Sequence, residues 1–317
     1  MNLVEDIEAL HVRQMCNWPL AHDNYAALDG LLTRELWLND DEGRSCARIV
    51  LQHNPERVRS TAADVSPEAI SQRPCFLCKE HQPTEQETVM WRYSQENAPE
   101  RLYKIQINPY PIFKRHLTIA SMQHEEQRCR YREMMALARD LSGYVIMFNG
   151  EGCGASAPDH LHFQAALQGE LPLCGELEAR NGDGLDSCYG SFNELWMDNR
   201  LGRQLIYIRA HAIDNAIISD MSIAMRGWRR NALCWFKNDV WHFVYFPRRA
   251  GRPACYGQGL GQYLVSPAAA EYGGVWVLPR KQDFDRLTPE LIKSFYQELS
   301  CTSQEMEFIY NAYGRVN

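Results

Sequence analysis

Residues 158–165 read PDHLHFQA. Three polar side chains, His160, His162 and Gln164, alternate with Leu161, Phe163 and Ala165. Successive side chains of a β-strand point to opposite faces, so the run predicts a strand with two imidazoles and an amide on one face. A lone histidine on a strand is most often a hydrogen-bonded structural group. Two of them with a glutamine, directly after the glycine-rich NGEGCGAS of residues 149–156, point to a built site. A neutral imidazole is a competent nucleophile when its other nitrogen is held as the donor. Its adduct with phosphorus is a phosphoramidate, reactive enough to pass the group on. Gln164 offers a neutral donor for a phosphate oxygen. The glycines let backbone N–H groups approach phosphates, with Asn149, Gly154 and Ser156 as candidate contacts.

The surrounding sequence alternates strands and helices. RLYKIQINPYPIFKRHLTIAS (101–121) gives two strands, over 102–107 and 117–121, around a proline-rich turn. EEQRCRYREMMALARDLSG predicts an amphipathic helix stopped at Gly143, and YVIMFN a buried strand. Residues 23–37, DNYAALDGLLTRELW, carry apolar groups at helical spacing and predict an early helix. ARIVLQHNPERVRST reads as a short strand breaking at Asn54-Pro55. Past residue 170 the pattern loosens, and LDSCYGSFNELWMDN reads as an irregular connection. Short strands follow at LIYIRA, NALCWFK, VWHFVYFP and GVWVLP, and the last helix starts at Thr288-Pro289. The predicted class is α+β on mainly antiparallel sheet with flanking helices. Its halves are 1–170, carrying the site, and 171–317, with no convincing repeat between them.

Cys75-Phe76-Leu77-Cys78 has the spacing that lets two thiolates grip one tetrahedral metal. Alone it is half a site. His116 and His160, at strand edges, are the chosen partners, with His81 and His124 as rivals. A Cys2His2 set favours zinc. Arg57, Arg59, Lys114 and Arg115 are the candidate positive charges for phosphoryl chemistry, although each singly reads as a solvated surface residue.

Composition bounds the function. The 317 residues are 45% hydrophobic with a net charge of −7 and a pI of about 5.8, which argues against a nucleic-acid or anionic-membrane surface. No apolar run approaches the roughly 18 residues of a membrane span. The acidic start MNLVEDIEAL lacks a signal-peptide pattern, and eleven cysteines is an odd number. A disulfide framework is not expected, and the expected location is the cytoplasm.

QHNPERVRS, RPCFLC, NPYPIFKRHLTI and FNGEGCGASAPDHLHFQ together resemble the transferase branch of the histidine triad superfamily. That branch includes galactose-1-phosphate uridylyltransferase, diadenosine tetraphosphate phosphorylase and the GDP-hexose phosphorylases. HLHFQA looks most like the GDP-hexose phosphorylases. The paired cysteines with His116 and His160 are similar to the uridylyltransferase zinc site. The resemblance is dense over residues 52–168, and thinner in VWHFVYFPRR and QYLVSPAAAEYGGVWVLPRKQDF. It implies two histidine-triad-like halves, with His162 as the nucleotidylated nucleophile, His160 as metal ligand and orienter, and Gln164 on the transferred phosphate. Asp159 is an extra residue relative to the Pro-His-x-His of the uridylyltransferases, which loosens the assignment of Ser156. The implied reaction moves a nucleoside monophosphate from a nucleotide sugar, through a covalent nucleotidyl-histidine, to phosphate or a sugar phosphate. The alternatives are a hexose-1-phosphate uridylyltransferase, a dinucleoside polyphosphate phosphorylase, or a zinc-stabilised nucleotide-binding protein without catalysis. The expected partners are those small molecules, with neither nucleic acid nor membrane, in a chain that could act as a homodimer.

Overall fold

The strand carrying the histidines lies inside a ten-stranded antiparallel sheet in a computed structural model of the chain. The structure describes residues 2–96, 99–179, 187–189, 193–198, 201, 203–213 and 215–313. In chain order the strands are β1 (Leu32–Asn39), β2 (Ser45–His53), β3 (Val89–Tyr93), β4 (Arg101–Ile107), β5 (Leu117–Ser121), β6 (Tyr144–Asn149) and β7 (His162–Leu167). Then come β8 (Ser187–Tyr189), β9 (Asn193–Asp198), β10 (Leu205–Ala210), β11 (Arg229–Lys237), β12 (Val240–Arg248) and β13 (Val275–Leu278).

The large sheet runs β3-β4-β5-β7-β6-β11-β12-β10-β9-β8. Counted outward from the β6–β11 junction, each half places its fourth, fifth, third, second and first strand in that order. A helix joins the third and fourth strands in both, Tyr131–Asp140 in one half and Asn215–Ala224 in the other. The halves therefore share one topology despite having no legible repeat. The sequence must only keep apolar groups inward at each strand, which many residue choices satisfy.

Helices cover one face of this sheet. Leu3–Asn17, Tyr131–Asp140 and Ser303–Tyr313 pack there against Tyr103, Ile105, Phe163 and Phe243. The Tyr131–Asp140 helix buries Tyr131, Met134, Met135, Leu137 and Ala138, and the chain leaves it through Gly143 at φ +89°. That left-handed conformation favours glycine. Phe163 is fully buried with its ring 6.2 Å from both Tyr103 and Phe148, a burial that stabilises the fold by roughly 2–3 kcal/mol. The opposite face is covered by the small sheet β1-β2-β13, in which β13 runs parallel to β2, and by helices Pro172–Ala179 and Pro289–Leu299. Thr288 Oγ1 accepts the Leu291 N–H at 3.3 Å and Pro289 opens the first turn, as that dipeptide predicts. Among the described residues no helix is long and apolar enough to cross a membrane.

Three expectations are corrected. The helix over 23–37 is instead the end of helix Pro19–Ala27, a short turn, and β1. The leucines and tryptophan of LLTRELWL fit either period, and antiparallel pairing with β2 from Leu32↔His53 to Leu38↔Ala47 decides for strand. The connection LDSCYGSFNELWMDN contains β8 and β9, the latter paired along its length with β10. Helix Pro289–Leu299 is followed by a further helix, Ser303–Tyr313.

Candidate active site and metal cluster

β7 begins at His162, so His160 lies in the turn before the strand, and only His162 and Gln164 share the strand face. Met147 and Ala166 on that side face the cluster under the small sheet. Ala120 stands opposite His162 on β5, and Thr118 opposite Gln164.

His162 is 4% exposed and held at three points. Its backbone N–H donates to Gln127 Oε1 at 2.9 Å, while Gln127 Nε2 donates to the carbonyls of His162 and Asn149, each at 2.9 Å. Its Nδ1 lies 2.8 Å from the His160 carbonyl. A carbonyl only accepts, so Nδ1 carries the proton and Nε2 is left as the lone-pair nitrogen. Burial pushes the ring down to about 4, which keeps it neutral at ordinary pH. This is the tautomer a nucleophilic imidazole needs. Gln127 went unnoticed in the sequence because EEQRCRY reads as the solvated start of a helix.

Gln164 is fixed by a neighbour with another assigned role. His116 is fully buried, and its Nδ1 accepts the Ile112 N–H at 3.3 Å. The ring proton is therefore on Nε2, which donates to Gln164 Oε1 at 3.2 Å. The N–H2 edge of the amide then has no partner among the described residues. Burial pushes His116 down to about 3, so it stays neutral in this role.

Ligand-type atoms of Cys75, Cys78, His124 and His160 all lie within 4.8 Å of one another. His160 Nδ1 is 3.3 Å from Cys75 Sγ and 3.6 Å from Cys78 Sγ, and His124 Nδ1 is 3.3 Å from Cys78 Sγ. The fourth group is thus His124 and not His116. The two histidines flank opposite ends of β5, whose five residues separate them by roughly 15 Å. His81 is also outside the cluster, its Nδ1–H donating to the Cys75 carbonyl at 3.0 Å. The donor set suits a metal ion. His160 Nε2–H donates to the Ser121 carbonyl at 2.8 Å, which fixes the ring and turns bare Nδ1 toward the sulfurs. Burial pushes the Cys75 thiol up to about 11, so a cation is what would draw out its thiolate.

An open cleft of about 590 Å³ lies beside this face. Gln164, Asn149, Gly154 and Ser156 line it from the first half, with Ala268, Glu271 and Val277 opposite. His162 is not among the lining residues; Gln164, two positions along its strand face, is. Gly154 sits at φ +86°, and a Cβ there would stand 2.5 Å from the Ala268 Cβ, so only glycine lets the loop close on this wall. Arg73 ties the cysteine loop to the glycine loop, donating to the Ser156 carbonyl at 3.2 Å and to Asp159 at 3.0 Å. The extra Asp159 thus has a structural partner. Burial pushes the Glu271 carboxyl up, against backbone N–H donors and Arg57 pulling the other way.

The four predicted cations separate. Arg57 lines the cleft and donates to the Tyr110 carbonyl at 2.9 Å. Lys114 pairs with Asp29 at 2.8 Å and Arg115 with Glu8 at 3.0 Å, neither in the cleft lining. The Arg59 side chain lies outside the described residues. If the cleft takes a nucleotide, Arg57→Ala weakens its binding about tenfold, whereas Lys114→Ala and Arg115→Ala, both outside the lining, change it less than about twofold. Calorimetric titration with AMP separates the three, and equal losses in all would contradict the placement.

Residues 10–167 match the family described as a domain of unknown function (DUF4922). Comparison with curated proteins gives no match. Among solved structures, yeast Ap4A phosphorylase Apa2 is similar with a TM-score of 0.55 and 14% identity, over 92% of this chain and 97% of that one. The same yeast enzyme in complex with Ap4A gives 0.54 and 15% over 89% and 96%, and in complex with AMP 0.51 and 14% over 88% and 94%. At this level of identity the likeness is one of fold, and this chain shares the fold of the yeast enzyme over nearly the whole length of both.

Proposed function

We propose that this chain is a nucleotidyltransferase of the phosphorylase kind. His162 Nε2 attacks the α-phosphorus of a dinucleoside polyphosphate or nucleotide sugar, an N–P bond forms, and the bridging P–O bond breaks with its electron pair leaving on oxygen. As the ring gains charge, its Nδ1–H bond to the His160 carbonyl strengthens. Inorganic phosphate or a sugar phosphate then attacks the same phosphorus, the N–P bond breaks, and neutral imidazole returns. Gln164 donates to a phosphate oxygen in both steps and, being an amide, cannot deliver or remove a proton. Arg57 supplies the positive charge of the cleft.

The observation that carries this reading is the tautomer of His162, fixed by a carbonyl on Nδ1, with no hydrogen-bond partner on Nε2 among the described residues. Cys75, Cys78, His124 and His160 would hold one zinc ion, whose part is to fix the turn that presents the His160 carbonyl. The shared fold with the yeast enzyme supports a dinucleoside polyphosphate as the first substrate to test, with nucleotide sugars second. Purified protein incubated with phosphate and Ap4A, GDP-glucose or UDP-glucose is expected to release the nucleoside diphosphate from at least one of them. Tight binding with no phosphate-dependent release from any of the three would instead favour the non-catalytic nucleotide binder.

A further inference from the structure

The second half of the chain reaches the cleft through a buried chain of side chains. Asn149 at the end of β6 stands directly across from Asn231 on β11. Asn149 Oδ1 accepts two hydrogen bonds, from the Ala269 backbone N–H at 2.8 Å and from Asn231 Nδ2 at 2.9 Å. Asn231 Nδ2 also donates to the Cys153 carbonyl at 2.7 Å, and Asn231 Oδ1 accepts from Arg248 Nη1. Arg248 is itself held by the carbonyls of Pro267 at 3.0 Å, Ala250 at 3.0 Å and Gly251 at 3.4 Å, with its guanidinium 4.4 Å from the Tyr272 ring centre. Asn231 is fully buried and Arg248 is 1% exposed.

The direction of every bond is forced. The Ala269 N–H can only donate, so the Asn149 atom facing it is oxygen. The Asn231 atom facing that oxygen must then be nitrogen, which agrees with its second contact to a carbonyl. Its other atom faces a guanidinium and must be oxygen. No amide in the chain can be turned over without breaking two bonds. Asn149 Nδ2 is left without a partner among the described residues, on a side chain that lines the cleft.

We infer that Asn231 and Arg248 are positioning residues that hold the Asn149 amide with its N–H2 edge toward the cleft, as a fixed donor to an anionic phosphate oxygen. The inference rests on the reading of the cleft as a nucleotide site. The guanidinium polarises both amides in series, so the last N–H is a stronger donor than a free amide would be. The same cleft then carries two preset neutral donors, Gln164 set by His116 and Asn149 set by Asn231. Donors already oriented toward developing charge need no reorganisation at the moment of reaction.

AMP is the probe, and a double-mutant cycle separates positioning from mere structure. Asn231→Asp keeps the size and the Arg248 contact but loses the N–H that Asn149 Oδ1 accepts. It is expected to weaken AMP binding about tenfold in the wild-type background and less than about twofold in an Asn149→Ala background, because its effect passes through Asn149. If Asn231→Asp does not fold, Arg248→Lys takes its place in the cycle, since an ammonium cannot hold Asn231 and three carbonyls in one plane. Wild-type-like affinity in the single variant, or an equal loss in both backgrounds, overturns the inference while leaving the nucleotide site standing. Failure of the wild type to bind AMP overturns the reading of the cleft and the inference with it.

Discussion

Replacing His162 by glycine is expected to abolish turnover, with a loss of roughly four orders of magnitude or more, as when other covalent catalysts lose their nucleophile. A histidine that merely closed a hydrogen bond would cost about 1 kcal/mol, less than a tenfold effect on rate. The structure sharpens the contrast. The backbone of residue 162 is held by Gln127, not by the ring, so the strand and its register survive the substitution. Glycine also vacates the imidazole volume beside the cleft, so added imidazole, or a preformed nucleotidyl-imidazole, is expected to restore part of the reaction. Substrate labelled in the transferred nucleotide should leave acid-labile, base-stable label on the wild type and none on His162→Gly. Gln164→Ala is expected to slow both half-reactions by roughly a hundredfold, the usual effect of losing one oxyanion donor, while the labelled intermediate still forms. Appreciable activity of His162→Gly without added imidazole would rule out the covalent route.

The parts of this site that one strand's chemistry determines were legible in the sequence. Alternation of His162, Phe163 and Gln164 is a statement about local geometry, and β7 obeys it. β4, β5, β6 and the helix before Gly143 were legible for the same reason, since each is a buried segment with a single period. What sequence could not give was the long-range pairing. The choice between His116 and His124 depends on which end of β5 meets the turn before β7, and both histidines flank that strand. Neither spacing nor residue type records it. Asn231 and Arg248 lie on strands about 80 and 100 residues from Asn149, inside runs whose apolar pattern announces only strands. The ambiguity at residues 31–38 is of another kind. Leucines there suit both a helix and a strand, and only the partner β2 decides.

Loss of His124 is expected to cost the chain its metal without disturbing its core. The other three members of the cluster are buried or half-buried, so removing any of them also leaves a void or an unpaired group. His124 is exposed, and truncating it to alanine creates no cavity. Any loss of stability in His124→Ala therefore comes through the metal. For zinc present at about a thousand times its dissociation constant that contribution is about 4 kcal/mol, a fall in Tm of about 6 °C for a chain of this size. Metal analysis should give about one zinc per wild-type chain, as a closed four-ligand site requires, and far less for His124→Ala and for Cys75→Ser combined with Cys78→Ser. His116→Leu should keep its zinc, because its ring bonds Gln164 and Ile112 on the far side of β5. A strong chelator should lower the wild-type Tm to that of His124→Ala and leave the variant unchanged. Activity should fall along with the metal although His162 is intact. His160 joins the two sites: its Nδ1 faces the sulfurs while its carbonyl accepts the His162 Nδ1–H that fixes the nucleophilic tautomer. A chelated protein that still forms the labelled histidine at the wild-type rate would separate the two sites and confine the metal to stability. Full zinc content in His124→Ala would remove it from the cluster altogether.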